Sequence, residues 1–180
     1  MEINKPKIEQ IIRDKGFEDF KWINPSDIKI SQWVRMKCMF GCPSYGESGT
    51  CPPNVPSVED CQKFIREYDH GIIFHFSKLL KDPADRKEYC REINKTLLKI
   101  ERGVFLEGFR KAFVLLTDEC RLCGDCTGNR KECKNKKDSR PGPESLAIDV
   151  FDTVSKYGFP INILKDYDEV MNRYSILLID

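Results

Sequence analysis

Apolar residues recur at helical spacing in four segments of the chain. Each segment also carries a boundary signal, either a capping Asn, Ser or Asp before its first turn or a glycine after its last. The predicted helices span about 4–16, 57–68, 82–108 and 143–158. Their apolar stripes comprise Ile8, Ile11 and Ile12; Val58, Cys61, Ile65 and Tyr68; Cys90, Ile93, Leu97, Ile100 and Val104; and Leu146, Ala147, Val150, Phe151 and Val154.

Four shorter apolar segments have the length and composition of β-strands. They are Gly71–Ser77, Lys111–Thr117, Phe159–Leu164 and Tyr174–Ile179. From residue 57 onward the order is helix, strand, helix, strand, loop, helix, strand, strand. This order predicts an α/β or α+β fold in a single domain over residues 1–180. We expect helices packed on a mixed β-sheet whose last two strands are antiparallel.

Two stretches of the chain have neither the helical pattern nor the strand pattern. Residues 41–56 contain three of the 11 glycines and four of the 10 prolines, so no regular element can continue through them. Residues 118–142 contain Leu122 as their only large aliphatic residue, and a loop of that length is typically functional or disordered. Seven of the nine cysteines lie in or beside these stretches. We therefore expect two metal-binding loops, at 38–56 and 118–142.

The composition narrows the classes of function. The chain has 30 basic and 29 acidic side chains, and a net charge of +1 provides no general field for a polyanion or a membrane surface. No apolar stretch has transmembrane length, and the first 16 residues lack the apolar core of a secretory signal. We expect a cytoplasmic protein, in which cysteines are thiols or metal thiolates rather than disulfides.

The cysteines divide into two that are structural and seven that are candidate ligands. Cys61 and Cys90 each occupy one position of an apolar helical stripe, where a free thiol behaves as a small hydrophobic side chain. The candidate metal ligands, which would also bind the cofactor, are Cys38, Cys42, Cys51, Cys120, Cys123, Cys126 and Cys133.

The last four of these cysteines form the pattern C-x2-C-x2-C-x6-C. It resembles the bacterial ferredoxin run, whose thiolates hold a [4Fe-4S] cluster, although here the last spacing is six residues and Lys134 replaces the proline. Gly124 and Gly128 allow the unusual dihedral angles that turn backbone amides toward cluster sulfurs. Zinc is the alternative, but zinc sites usually present two separate C-x2-C pairs. The spacing favours iron–sulfur.

The first three cysteines form the pattern C-x3-C-x8-C and supply only three ligands. Three thiolates can hold a cluster with one iron open to substrate or water, as a Lewis-acid enzyme requires. Alternatively, Tyr45, Glu47 or Asn54 completes a closed zinc or iron site. A third possibility is that both groups converge on one centre, with the surplus cysteines serving as persulfide or redox sites. Nucleotide-binding glycine motifs and the C-x3-C-x2-C spacing are absent from the sequence.

The chain resembles a known family through four segments. They are MKCMFGCPSYGESGTCPPNVPS, CRLCGDCTGNRKEC, RPGPESLAIDVFDTVSKYGFP and NRYSILLID. Together they look like an uncharacterised archaeal and bacterial family of predicted metal-binding proteins. The resemblance covers nearly the whole chain. It implies a bound metal, is consistent with iron–sulfur chemistry, and indicates no reaction.

Other charged residues have two interpretations each. The run Asn129–Lys137 has five basic residues and one acidic, a local charge of +4, and is either a solvated loop or a docking patch that also offsets cluster charge. Arg35 and Lys37 either balance the charge of the first cysteine group or bind an anionic substrate. His75 lies in a predicted strand, where we expect a packed, hydrogen-bonded side chain rather than a ligand.

The sequence therefore predicts a cytoplasmic iron–sulfur protein with one or two clusters, acting as a redox or electron-transfer module with a redox protein partner. Nucleic acid is a less favoured partner, to which only Arg130 to Lys137 point. One alternative is an iron–sulfur enzyme with an open, substrate-binding iron at the three-cysteine site. The other is a zinc-stabilised binding protein that uses the basic loop.

Overall fold

The computed structural model describes residues 3–180, which form five α-helices and four β-strands. The helices are α1 (Lys5–Arg13), α2 (Gln32–Gly41), α3 (Val58–Ile65), α4 (Pro83–Leu106) and α5 (Val150–Lys156). The strands are β1 (Phe20–Ile23), β2 (His70–Lys78), β3 (Phe113–Leu115) and β4 (Met171–Ile179). Short 3₁₀ turns cover Pro25–Asp27 and Glu144–Leu146. The predicted fold class, helices packed on a sheet, is confirmed.

All four strands join one sheet in the order β1-β2-β4-β3, and every pair is antiparallel, so the sheet is not mixed as predicted. The central strands β2 and β4 pair over nine residues, from His70 opposite Ile179 to Lys78 opposite Met171. Successive side chains point to opposite faces, so Ile72 and Ile73 enter two different apolar clusters. The sheet is therefore the middle layer of three.

Helices cover both faces of the sheet. Helices α1 and α4 pack on one face, and α3 and α5 pack on the other. The predicted caps are present, since Asn4, Ser57 and Asp82 each accept a hydrogen bond from a first-turn amide. None of the helices in residues 3–180 combines the length and hydrophobicity needed to cross a membrane.

The strand predicted at Phe159–Leu164 is wrong. Both edges of β4 are already occupied, by β2 on one side and β3 on the other, so a hairpin with the preceding segment has no place to pair. The segment instead packs Phe159 on the sheet and leaves Ile163 exposed. The fourth strand is β1, which sequence reasoning missed and which pairs with the free edge of β2.

Two helices also differ from the prediction. Helix α2 was missed because its apolar residues lie all round the helix, and of them only Val34 is buried. The helix predicted at 143–158 is interrupted, since Ala147 adopts a left-handed conformation with φ 62° between a 3₁₀ turn and α5. The interruption turns Phe151 outward, where it is 45% exposed rather than buried as predicted.

Helix α4 carries a buried amide, Asn94, that no apolar pattern reveals. Its Nδ2 donates to the carbonyls of Thr117, Glu119 and Cys120 at 3.2, 3.2 and 3.4 Å. Its Oδ1 accepts from the amide and the hydroxyl of Thr117 at 2.9 and 2.8 Å. One side chain therefore fixes the backbone where it leaves β3 and enters the second cysteine loop.

The variant Asn94→Leu retains the side-chain volume but removes every one of these hydrogen bonds. We expect it to lower the free energy of unfolding by about 3 kcal/mol, because several buried backbone groups lose their partner. The control Thr117→Val removes one hydroxyl and should cost about 1 kcal/mol. Urea denaturation measures both, and equal losses in the two variants would contradict this role of the Asn94 amide.

Candidate metal centre

The second cysteine loop leaves and returns at the same place, the end of β3. The amide of Leu116 donates to the carbonyl of Pro141 at 2.9 Å, so the two stems run side by side. A Cβ at Gly142 would lie 1.8 Å from the Asp118 carbonyl oxygen, which only glycine can avoid. Asp118 itself has φ 54°. The ends of the loop are thus held together independently of any metal.

Helix α4 binds the returning stem as well as the departing one. Glu101 is buried and accepts hydrogen bonds from Arg140 Nη2 at 2.7 Å and Arg140 Nε at 3.2 Å. Its second oxygen accepts from the Val114 amide at 3.4 Å. Glu101 lies two helical turns beyond Asn94, so one helix fixes both ends of the loop. The sequence does not reveal either residue, because an apolar pattern says nothing about the polar residues that lie beside it.

The four cysteines of this loop line one cavity of about 320 Å³. Cys120 is buried at its inner end, Cys123 and Cys133 are half-buried, and Cys126 is exposed. We call this the four-cysteine cavity. The four cysteines that the sequence grouped together therefore line one cavity, and the thiol of Cys126 lies at the protein surface.

Backbone amides point at the sulfurs of this group. The amide of Gly49, from the first cysteine loop, donates to Cys126 Sγ at 3.5 Å. Burial raises the pKa of the Cys120 thiol, while hydrogen bonds from the amides of Leu122 and Arg140 oppose that rise. Such N–H···S bonds stabilise a thiolate and set the potential of a bound cluster.

Cys133 has a different environment from Cys120. Its Sγ lies 3.6 Å from the hydroxyl of Ser139, and Arg130 also donates to that hydroxyl. Partial burial acts to raise the pKa of Cys133, but the contacts with Ser139, the Asn135 amide and Arg130 outweigh it, so the pKa is lowered. The basic run thus contributes directly to the environment of one candidate ligand.

Positive charge lines the side of the four-cysteine cavity nearest α4. Lys87, Arg91 and Arg121 all line it, and Glu119, which pairs with Arg121 at 2.7 Å, offsets part of that charge. Two of these side chains stand on the exposed side of α4, one turn apart. A tetrathiolate centre is anionic, so these cations stabilise it when it forms.

The two cysteine loops pack against each other through small residues. A Cβ at Gly128, which has φ +67°, would lie 2.9 Å from the carbonyl oxygen of Gly46. Asn54 bridges the same junction, since its Nδ2 donates to the carbonyls of Gly128 and Ser48 at 2.8 and 3.2 Å. Gly124, the other glycine expected to need unusual dihedral angles, does not have positive φ. The loops form one packed unit.

The three remaining cysteines group together on the other side of this unit. Cys38 lies in the last turns of α2, Cys42 follows that helix, and Cys51 accepts a hydrogen bond from the Ser145 hydroxyl at 3.5 Å. Burial raises the pKa of Cys38 most, and the nearby Cys42 and Cys51 raise it further. The effect of Cys42 and Cys51 on this pKa reflects their proximity to Cys38.

Cys38 and Cys42 line a cavity of about 520 Å³, the Cys38 cavity. It shares Trp33, Lys37 and Glu144 with a neighbouring cavity of about 470 Å³. Desolvation by neighbouring protein atoms raises the pKa of Glu144, although Glu144 is an exposed residue. Lys37, a candidate for charge balance, therefore stands at the boundary between the two cavities.

The neighbouring cavity, the Arg173 cavity, has a polar floor. Arg173 Nε lies 3.0 Å from Asp118 Oδ1, and Asn172 lines the same cavity. The Cys90 thiol donates to the other oxygen of Asp118 at 3.4 Å, and burial raises the pKa of Cys90 to about 12. Cys90 therefore remains a protonated thiol at neutral pH, consistent with the structural role expected for it.

The other sequence candidates have specific positions. Arg35 donates to the carbonyls of Pro56 and Ser145, so it ties α2 to two neighbouring segments. His75 is buried as predicted, with Nδ1 2.6 Å from Asp19 Oδ2 and Nε2 2.8 Å from Asn172 Oδ1.

Two of the fourth-ligand candidates, Glu47 and Asn54, do not line the Cys38 cavity, and Tyr45 donates its backbone amide to the carbonyl of Cys42 at 3.1 Å. Glu47 lines the four-cysteine cavity, and the amide of Asn54 already bonds the backbone of the other loop. Cys38 and Cys42 line a different cavity from the four cysteines of the second loop. Across residues 3–180, no three His, Cys, Asp or Glu side chains converge closely enough to hold one metal ion.

A comparison with known protein families gives one match. Residues 21–179 match the model of the family described as predicted metal-binding protein (DUF2284). The chain belongs to this family. All seven candidate cysteines lie within the part that matches the DUF2284 model, as do Asn94 and Glu101. Neither a curated protein nor a solved structure matches the chain.

The junction between the loops can be tested with a matched pair of glycines. We expect Gly128→Ala to lower the free energy of unfolding by about 1–2 kcal/mol, because the added methyl group meets the Gly46 carbonyl and requires positive φ. Gly124→Ala, which meets no atom within 4 Å, should be neutral. Thermal unfolding of the two variants checks the difference, and equal stability would contradict the close packing of the loops.

Proposed function

We propose that this protein is an iron–sulfur protein in which Cys120, Cys123, Cys126 and Cys133 hold a [4Fe-4S] cluster. The observation that carries the proposal is that these four thiols line one cavity into which backbone amides donate. The predicted metal-binding character of the DUF2284 family supports a metal there. Cysteine thiolates arranged in this spacing are the usual ligands of such a cluster.

The donor set fits a cluster better than a single zinc ion. A cluster binds each thiolate to a different iron, so its ligands need not converge on one point as the ligands of zinc do. No such convergence occurs in residues 3–180. The cations of α4 would offset the negative charge of four thiolates and a cluster.

We propose electron transfer as the role of this centre. Cys126 is exposed, so a cluster bound here would lie close to the surface, where it could exchange electrons with another protein. The surrounding surface is basic, with Lys131, Lys134 and Lys136 exposed on the same loop. An acidic redox protein is the partner that this charge favours. Free thiolates and clusters of this kind suit a reducing, cytoplasmic setting.

The ligand assignment can be tested by substituting one cysteine of the loop. Cys123→Ser should remove one cluster's content of iron and sulfide and lower the melting temperature, because metal binding contributes to folding. The control Cys90→Ala should keep the metal and cost only about 1–2 kcal/mol, since its thiol is buried on α4. Anaerobic purification followed by iron, sulfide and zinc analysis gives the answer. A zinc-containing parent, or unchanged iron in Cys123→Ser, would overturn the proposal.

A second function is favoured by one specific observation. Cys38 and Cys42 border a cavity that is open to solvent and continues toward charged residues. A purely structural metal site would not require such a cavity. We propose as the alternative an enzyme in which these cysteines and Cys51 hold a cluster with one open iron. Such an iron would supply Lewis-acid chemistry to a substrate in the cavity.

Electron paramagnetic resonance separates the two functions. If an open iron is present, mild oxidation of the parent should produce a three-iron signal, because no thiolate restrains that iron. Cys42→Ser should abolish the signal, while Cys126→Ser, which alters the other group, should preserve it. A parent whose clusters resist oxidation equally and ignore added small ligands is an electron-transfer protein without an open iron.

A further inference from the structure

A separate cavity of about 350 Å³ adjoins the four-cysteine cavity and the Arg173 cavity. It shares Lys87 and Arg121 with the four-cysteine cavity. It also shares Asp118 and Arg173 with the Arg173 cavity, which continues to the Cys38 cavity. We call it the basic cavity. The basic cavity therefore shares its walls with a cavity of the second cysteine group and with one that continues toward the first.

Positive charge dominates the lining of the basic cavity. Five basic side chains line it against two acidic ones, an excess of three positive charges. The basic residues are Arg86, Lys87, Arg121, Lys165 and Arg173, and the acidic residues are Asp118 and Asp166.

Part of this charge is already used by the protein. Arg86 is buried and donates to the carbonyls of Leu80, Tyr167 and Glu169, so its role is structural. Lys87 and Lys165 differ from it, because neither amine forms an ion pair within the part of the chain that the structure describes. Two cations therefore remain available to a ligand.

One buried donor on a residue of the same cavity also lacks an acceptor. Arg121 Nε is buried and donates no hydrogen bond to any atom of residues 3–180. Arg173 Nε, by contrast, lies 3.0 Å from Asp118 Oδ1, so a carboxylate of the cavity wall holds that guanidinium in place. Buried donors normally find a partner, and a guanidinium is suited to planar oxyanions.

We propose that the basic cavity binds the oxyanion group, phosphate or carboxylate, of a small organic ligand. Lys87 and Lys165 supply the charge, and Arg121 and Arg173 supply directional donors. Pro83, Leu164 and the ring of Tyr167 line the rest of the cavity and provide apolar contact for the organic part. The volume is within the range of small-molecule sites. The proposal does not depend on which metal the cysteines hold.

Calorimetric titration of inorganic phosphate, and separately of malonate, into the anaerobically purified, metal-loaded protein tests the proposal. We expect one molecule of anion to bind per chain. In Lys87→Ala/Lys165→Ala the dissociation constant should rise on the order of tenfold or more, because two charged partners are lost. Tighter binding of phosphate indicates a phosphorylated ligand, and tighter binding of malonate indicates a carboxylate.

The matched control is Lys99→Ala, which removes one exposed lysine from the same helix without touching the cavity. It should bind both anions as the parent does. The proposal is overturned if neither anion binds the parent, or if Lys99→Ala loses as much affinity as the double variant. Metal analysis of each preparation distinguishes these outcomes from failure of the iron–sulfur assignment, since anion binding is measured whatever the metal content.

Discussion

The hydrogen bonds between Asn94 and the backbone at 117–120 are the constraint on which the metal loop depends. The loop spans 25 residues and has almost no apolar side chains of its own, so burial cannot hold it in place. The buried amide of Asn94, on the longest helix, holds the departing stem of the loop instead. Glu101, on the same helix, holds the returning stem through Arg140. The cost of breaking such contacts is high, because each would leave backbone groups buried without a partner. The position of four cysteines therefore derives from two polar side chains in an apolar helix face.

Different parts of the molecule provide the rigid framework and the reactive side chains. The sheet and α4 supply the rigid part, and the loops carry the thiols, hydroxyls and amides that could hold a metal. Between the two cysteine groups lie charged side chains, with the Asp118–Arg173 pair at their centre. This charge pair borders two cavities. Its electrostatic energy therefore depends on what occupies those cavities. Electron transfer and substrate binding are therefore compatible uses of one scaffold.

The parts of the fold that sequence predicted are those where pattern and propensity agree. Helix α4 has its cap at Asp82 and a full apolar stripe, and β2 and β4 are buried on both faces. Prediction failed where tertiary context decides. Phe159–Leu164 has the composition of a strand but no free edge to join, while β1 is short and gains its place only by pairing with β2. The four cysteines of the second loop, grouped by their spacing, do line one cavity. Asn94 could not have been found, because its partners are backbone atoms far along the chain.

Strand β4 is the structural centre of the sheet, yet it follows every cysteine in chain order. During synthesis all nine thiols emerge before the strand that pairs with both β2 and β3. The sheet cannot close until then. A nascent chain therefore presents its thiols on an unfinished scaffold, exposed to oxidants and to competing metals.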